Sequence, residues 1–152
     1  MRTFTFFGNK ALLDLPKTAF LSSRRIPPEK VLACYDWATA QRDAGRCVIS
    51  GFHSDLEKDV LKFLLKGRQS LIVVLARRLY RRIPDEWSTP LAEGRLLIVS
   101  TSPDTRASEN TTRQRNRYIV DHAERVVLGA LTPGGNLAKL VSAFPQNKIN
   151  LL

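Results

Sequence analysis

Arginine, asparagine and glycine recur in short polar segments that follow apolar runs of this sequence. One segment carries Arg113, Arg115, Asn116 and Arg117, and another carries Gly134-Gly135 just before a helix-forming run. Arginine presents a planar fork of donors that suits a phosphate, and glycine lets backbone N–H groups approach one closely. These residue types point to an anionic ligand, with a basic solvated helix face and an ordinary loop turn as the competing interpretations.

The charge balance favours the same class of ligand. The 152 residues include 24 Lys and Arg against 14 Asp and Glu, a formal net charge of +10. Such an excess favours polyanionic partners such as nucleic acid, phosphorylated ligands or an anionic surface. It also serves solubility alone, so the positions of the cations have to decide.

No group of residues in the sequence identifies a catalytic centre. His53 and His122 have no Cys, Asp or Glu at metal-ligand spacing, and neither a nucleophile elbow nor a Walker motif occurs. Glu57 completes a capping box that begins at Ser54, so it is first a helix-capping residue and second a candidate acidic site residue. We therefore predict a binding domain without metal or cofactor, and whether it catalyses a reaction stays open.

Cysteine usage and hydropathy bear on the compartment. Cys34 and Cys47 lie within predicted apolar elements and are not spaced like a metal pair. Two buried free thiols fit a reducing compartment. No apolar run approaches the roughly 20 residues that span a bilayer, and residues 1–10 lack the pattern of a signal peptide. We expect a cytoplasmic protein with no membrane contact.

Five apolar segments rich in β-branched residues must position the polar ones; they span 18–22, 47–50, 71–76, 96–100 and 126–130. Because they lack polar alternation, both of their faces should be covered, as in a parallel sheet between helices. Helical patterns alternate with them: from Pro27-Pro28 to Gly45, from Ser54 to Leu64, near 87–93, from 108 to 122, and after Gly135. This order predicts a three-layer, doubly wound, Rossmann-like α/β fold with a mostly parallel sheet, forming one domain over residues 1–152.

Ligands of open α/β sheets bind beyond the carboxyl ends of the strands, so the residues after each predicted strand form the candidate site. Tyr80 is the best candidate there for stacking on a base. Lys58, Lys62 and Lys66 lie elsewhere and are interpreted as a solvated helix face. The predicted phosphate- or nucleic-acid-binding residues are Ser23, Arg24, Ser50, Gly51, His53, Arg77, Arg113, Arg115, Asn116, Arg117, Gly134, Gly135 and Asn136.

Four short segments of this sequence resemble those of the DprA/Smf DNA-processing proteins. Ser23-Arg24 stands where that family has Gly-Ser-Arg, and Ser50-Gly51-Phe52 matches its Ser-Gly-Leu, with Glu57 in place of a following acidic residue. Arg115-Asn116-Arg117-Tyr118-Ile119 matches Arg-Asn-Arg-Ile-Ile, the most specific likeness, and Gly134-Gly135-Asn136-Leu137 matches Ser-Gly-Ser-Leu. The similarity runs from Gly8-Asn9 to about Leu140. It is to the Rossmann-like core of the family, within a wider group that includes lysine decarboxylase-like phosphoribohydrolases.

The resemblance implies a positively charged pocket that binds single-stranded DNA, and proteins of that family help to load the RecA recombinase. It also suggests a homodimer. Pro133-Gly134-Gly135 only begins the Pro-Gly-Gly-x-Gly-Thr-x-x-Glu pattern of the phosphoribohydrolases, which argues against their activity. The leading hypothesis is thus a non-enzymatic domain that holds single-stranded DNA or a nucleotide. The alternatives are a nucleotide-processing N-glycosidic hydrolase and a sensor of a nucleotide signal.

Overall fold

The computed structural model describes residues 4–152. The strands within this range are β1 Thr5–Gly8, β2 Lys17–Leu21, β3 Cys47–Ser50, β4 Leu71–Leu75, β5 Leu96–Ser100, β6 Arg125–Leu128 and β7 Ile149–Leu151. The helices are α1 Pro28–Ala44, α2 Asp55–Leu65, α3 Ser88–Ala92, α4 Glu109–His122 and α5 Asn136–Ser142. Short 3-10 turns cover Lys10–Asp14, Asp85–Trp87 and Gln146–Lys148.

The strands form one sheet in the order β1-β5-β4-β3-β2-β6-β7. Neighbouring strands are parallel except for β1, which runs antiparallel to β5. From β2 the chain winds outward through β3, β4 and β5, and α4 then carries it back to β6 on the other side of β2. The direction of winding therefore reverses between β2 and β6, which confirms the predicted doubly wound fold.

Helices cover both faces of the sheet and bury a separate core on each. Phe20 and Val48 face one core, which α1 and α2 close, whereas their neighbours Leu21 and Ile49 face the core closed by α4 and α5. Successive strand residues point to opposite faces, so a strand buried on both sides must be apolar throughout. This is why the five central strands could be recognised from continuous apolar segments.

The two edge strands, β1 and β7, were not predicted from the sequence, because each of them has a neighbouring strand on one side only. The side chains of β1 are mostly exposed, including Phe7 at 49%. The strand β7 has three residues, two of them exposed. Neither strand therefore carries the continuous apolar pattern of a central strand.

Helix ends follow local signals, and the sequence predicts two of them, the capping box at Ser54 and the end of α1 at Gly45. Ser54 Oγ accepts from Glu57 N at 3.2 Å and begins α2, and Ser108 caps α4 in the same way through Thr111. Gly45 ends α1 in the left-handed region, with φ of 69°. Each of these signals needs only residues within one turn, so local sequence suffices to place them.

Burial of the cysteines agrees with the prediction. Cys34 and Cys47 are free and buried. Burial raises the pKa of each thiol to about 11. Within residues 4–152, no helix combines the length and the apolar character that crossing a membrane requires.

Candidate anion-binding site

The carboxyl ends of β2 and β6 border a cavity of about 600 Å³, which we call the crevice. Its walls come from the turns after these two strands, from the first turn of α2 and from the amino-terminal half of α4. It lies where the winding of the sheet reverses, which is where open α/β sheets bind ligands. The predicted site residues that line it are Ser23, Arg24, His53, Glu57, Arg113, Arg115, Asn116, Gly135 and Asn136.

Arg115 is the cation buried in the crevice, with an exposure of 5%. Its Nε and Nη2 donate to Asn116 Oδ1 at 3.1 and 3.0 Å. Among the described residues, no ion pair involves its guanidinium. Burial lowers the pKa of Arg115, and the more distant Glu57 and Tyr80 oppose that effect. The crevice thus contains a desolvated positive charge that lacks a close counter-charge.

The turn after β3 makes room for this guanidinium. A Cβ at Gly51 would lie 2.8 Å from Arg115 Cζ, so only glycine permits the observed approach. Ser50 is fully buried and outside the crevice, where its Oγ accepts from Phe52 N at 3.1 Å. Phe52 has φ of 46°, in the left-handed region. Ser50 therefore shapes the turn, and Gly51 admits the arginine.

Two serines lock the turns after β2 and β6 together. Ser23 N donates to Ala130 O at 2.9 Å, and Ser23 Oγ accepts from Thr132 N at 3.0 Å. Ser22 Oγ accepts from Ala130 N at 3.2 Å. Arg24 follows this locked turn and lines the crevice as an exposed side chain. The serines thus fix the turn from which Arg24 reaches the crevice.

The glycine pair differs from the expectation that it presents N–H groups. Gly134 lies in the left-handed region with φ of 73° and does not line the crevice. Gly135 lines it, but its N–H donates to Thr132 O at 3.0 Å. Asn136 Nδ2 donates to Glu109 Oε1 at 3.1 Å across the mouth of the crevice. The pair therefore shapes the turn, and the Gly135 N–H is already engaged.

The predicted arginines divide among three places. Arg113 lines the crevice, and its Nη1 lies 3.4 Å from Glu109 Oε1. Arg117 lies on the same face of α4 as Arg113 but one turn further along the helix, so it falls outside the crevice, with its Nε 3.7 Å from Asp121 Oδ2. Arg77 lies in a second cavity, with its Cζ 4.7 Å from the centre of the Tyr80 ring.

Glu57 and His53 belong to the capped start of α2. Glu57 Oε1 accepts from His53 N and Ser54 N at 3.0 and 3.1 Å, so this buried carboxylate caps the helix. Burial lowers the pKa of His53, and the charge of Arg115 lowers it further. No group of three or more potential metal-binding side chains occurs within residues 4–152.

Sequence reasoning missed Glu109, the carboxylate at the mouth of the crevice. It occupies the first turn of α4, where an acidic residue is ordinary helix chemistry. Its contact with Asn136 joins residues 27 positions apart. No local signal could have identified that contact.

The fold and the crevice define a doubly wound α/β protein with a cavity where the winding of its sheet reverses. The family model described as DNA recombination-mediator protein A matches residues 3–149. The chain belongs to this family. No curated protein sequence matches it.

Solved structures with the same fold include two family members. DNA processing protein A from Helicobacter pylori, which binds single-stranded DNA, has a TM-score of 0.72 and 20% identity over 97% of this chain and 70% of its own. DprA from Streptococcus pneumoniae has a TM-score of 0.66 and 16% identity over 98% of this chain and 62% of its own. The molybdenum cofactor binding protein of Rippkaea orientalis has a TM-score of 0.60 and 14% identity over 90% and 75%.

Proposed function

We propose that the chain binds single-stranded DNA, or the phosphate of a nucleotide, in the crevice. The observation that carries this proposal is the buried guanidinium of Arg115, which has an amide oxygen as its partner and no carboxylate within ion-pair distance among the described residues. A buried cation is unfavourable when no counter-charge lies close to it. A phosphate oxygen would supply that charge through a charge-assisted hydrogen bond.

The surroundings of Arg115 support the proposal. Arg24 and Arg113 line the same cavity, so three guanidinium groups are available to a ligand there. A phosphodiester chain carries one negative charge per nucleotide and could engage these groups in turn. The relative from H. pylori binds single-stranded DNA, which favours a strand as the ligand. Hydrolysis is less well supported, because Glu57 is engaged as a helix cap.

Fluorescence anisotropy of a labelled single-stranded oligonucleotide across a salt series tests the proposal. Affinity should fall steeply between about 50 and 200 mM salt, because basic side chains that bind the phosphates displace counterions from the strand. Arg24→Ala should weaken binding and reduce the slope of log affinity against log salt by about 0.7, the contribution of one phosphate contact in a single strand. Arg24 is exposed, so its replacement should not disturb folding.

Arg46→Ala provides the matched control. Arg46 is an exposed arginine that lines a cavity at the amino edge of the sheet, so the variant loses the same charge at the opposite side. Its salt slope should equal that of the wild type. Absence of strand binding, strand binding that ignores salt, or equal losses in the two variants would each reject the strand form of the proposal.

A further inference from the structure

A second cavity, of about 1000 Å³, lies beside the crevice at the carboxyl end of β4. Val73 of β4 and Leu61 and Leu65 of α2 form an apolar part of its wall. Tyr80 and Trp87 add two aromatic rings with centres 6.1 Å apart. The cavity is large enough for a drug-sized ligand, and its walls favour a planar apolar group.

The rim of this cavity is strongly cationic. The lysines interpreted from the sequence as a solvated face border it, since four-residue spacing places them on one stripe of α2 and its carboxyl end. Glu86 is the one carboxylate residue among those that line the cavity. The six basic residues of the lining are Lys58, Lys62, Lys66, Arg77, Arg106 and Arg115. We call this space the lysine-rimmed cavity.

An apolar aromatic wall beneath a cationic rim selects a particular ligand chemistry. Inorganic phosphate would use the basic rim but not the rings, and an uncharged aromatic molecule would use the rings but not the basic rim. A nucleotide uses both, because its base can stack on an aromatic ring while its phosphates face lysine and arginine. We propose that the lysine-rimmed cavity binds a nucleotide, with its base against Tyr80 and Trp87 and its phosphates toward the basic rim.

The nucleotide has two conceivable sources with the same chemistry. Arg115 and His53 line both the crevice and the lysine-rimmed cavity. A phosphate held at Arg115 could therefore belong to a strand whose base enters the neighbouring cavity, and this form rests on the proposed function. A free nucleoside triphosphate could enter the cavity without any strand.

Calorimetric titration with ATP tests the free form, with adenosine and inorganic tripolyphosphate as the two halves of the ligand. ATP should bind, and each half should bind at least about ten-fold more weakly, because either the rim or the rings lose their partner. Tyr80→Ala should weaken ATP binding by about ten-fold, within the range of base–aromatic stacking. The double variant Lys62→Ala/Lys66→Ala should also weaken it, whereas Arg46→Ala/Arg125→Ala, at the amino edge, should not.

Tryptophan fluorescence gives a readout at the proposed wall. Trp37→Phe leaves Trp87 as the only tryptophan, since the sequence has two. Trp37 is stacked on Phe20, with ring centres 5.1 Å apart, so phenylalanine keeps an aromatic partner there. ATP should quench Trp87 in this variant, and an unchanged emission during saturable binding would place the ligand elsewhere and overturn the proposal.

The strand form is tested by anisotropy with an intact oligonucleotide and an abasic one of equal length. The abasic strand should bind the wild type more weakly, and Tyr80→Ala should remove this difference. The cavity proposal is supported by either arm. It is overturned if Tyr80→Ala changes neither ATP nor strand binding. Strand binding that depends on Arg24 but not on Tyr80 or on bases would keep the proposed function and reject nucleotide binding in the lysine-rimmed cavity. Tyr80-dependent ATP binding without strand binding would support that cavity and reject the binding of a strand in the crevice.

Discussion

The two edges of the sheet each bury a cation to the same extent, but they surround it differently. Lys17 at the amino edge and Arg115 at the carboxyl edge are both 5% exposed. Lys17 Nζ donates to the carbonyl oxygens of Leu13 and Leu15 at 2.8 and 2.9 Å. Arg115 has a single amide oxygen, that of Asn116. A buried cation with two backbone acceptors stabilises the fold, whereas a buried cation with one acceptor and unused donors is suited to an anionic ligand.

One arginine at each edge, Arg95 and Arg24, shows the same contrast, although Arg46 at the amino edge is in no ion pair with a described residue and Arg113 at the carboxyl edge pairs with Glu109. At the amino edge Arg95 pairs with Glu93 at 2.6 Å and also contacts Gly67 O at 3.4 Å. At the carboxyl edge Arg24 is in no ion pair with any described residue. The net charge of +10 is therefore less informative than the distribution of its partners. Four experiments test whether the two edges differ in this way.

Replacing the two buried cations with methionine should have opposite consequences. Arg115→Met should weaken strand binding by at least about ten-fold, the effect of losing a hydrogen bond to a charged group. It should change the free energy of unfolding by less than about 1 kcal/mol, because the variant also loses a desolvated charge. Lys17→Met should lower the free energy of unfolding by about 1–3 kcal/mol, since two carbonyl groups lose their donor, and should leave binding unchanged.

Anisotropy and urea denaturation of both variants measure these effects. If Arg115→Met unfolded the protein while Lys17→Met weakened binding, the roles assigned to the two edges would be reversed. A loss of strand affinity in both variants, with both still folded, would mean that affinity depends on the net charge of the protein and not on a contact at Arg115.

A methyl group added at each edge gives the second comparison. Gly51→Ala should push the Arg115 guanidinium aside and weaken strand binding by about three- to ten-fold, because bidentate contacts depend on position. Gly67→Ala, at the amino edge, would crowd Arg42 and Gln69 and should reduce stability without changing binding. Anisotropy and thermal unfolding distinguish the two results. Wild-type affinity in Gly51→Ala would show that the position of Arg115 does not matter.

Removing one carboxylate at each edge should have a smaller effect. Glu109 lies at the mouth of the crevice, where its charge opposes an incoming phosphate. Glu109→Gln should therefore raise strand affinity by about two- to three-fold, in line with exposed charge pairs, and most strongly at low salt. Glu93→Gln, at the amino edge, should leave affinity unchanged. A loss of affinity in Glu109→Gln would indicate that this carboxylate positions Arg113 or Asn136 for the ligand.

The pKa of His53 should change when a phosphate binds in the crevice. Burial and then the charge of Arg115 hold this pKa below 6.5 in the folded chain, so the unfolded chain takes up the proton first as pH falls. Protonation of His53 therefore reduces stability below about pH 6.5 in the absence of ligand. A bound phosphate should raise the pKa of His53, and affinity should rise by about two-fold as pH falls from about 7.5 to 6.

Proton NMR titration with and without the oligonucleotide measures this shift. His122 serves as an internal control, because it lies outside the crevice and stacks on Tyr118 with ring centres 3.8 Å apart. A ligand that moved both histidines equally, or neither, would contradict the proposed position of the phosphate.

Much of the fold could be predicted because its signals are local. The five central strands are apolar on both faces, and the capping residues Ser54 and Ser108 begin their helices. The edge strands β1 and β7 could not be recognised, since an edge position leaves one side unpaired and a short exposed strand carries no distinctive pattern.

The candidate site was predicted only in part. Helical periodicity could have predicted that Arg115 is buried and Arg117 is not. Thr111, Arg115 and Ile119 recur at four-residue spacing and form one buried stripe of α4. The lysines of α2 were recognised as an exposed stripe, but the cavity beneath them depends on the segment from Tyr80 to Trp87, which packs there from elsewhere in the chain.

The sequence alone was sufficient to predict the five central strands and their helices, the family and the turns that carry polar residues, because hydrophobic pattern and capping act over a few neighbouring positions. Which buried cation lacks a carboxylate at ion-pair distance depends on the tertiary structure. The position of Arg115 depends on Gly51, and the turn that carries Arg24 depends on the hydrogen bond between Thr132 and Ser23; both contacts join residues far apart in the chain. Burial sets the desolvation cost that the partners of each charge must offset. That burial arises only when both layers of helices have packed on the sheet.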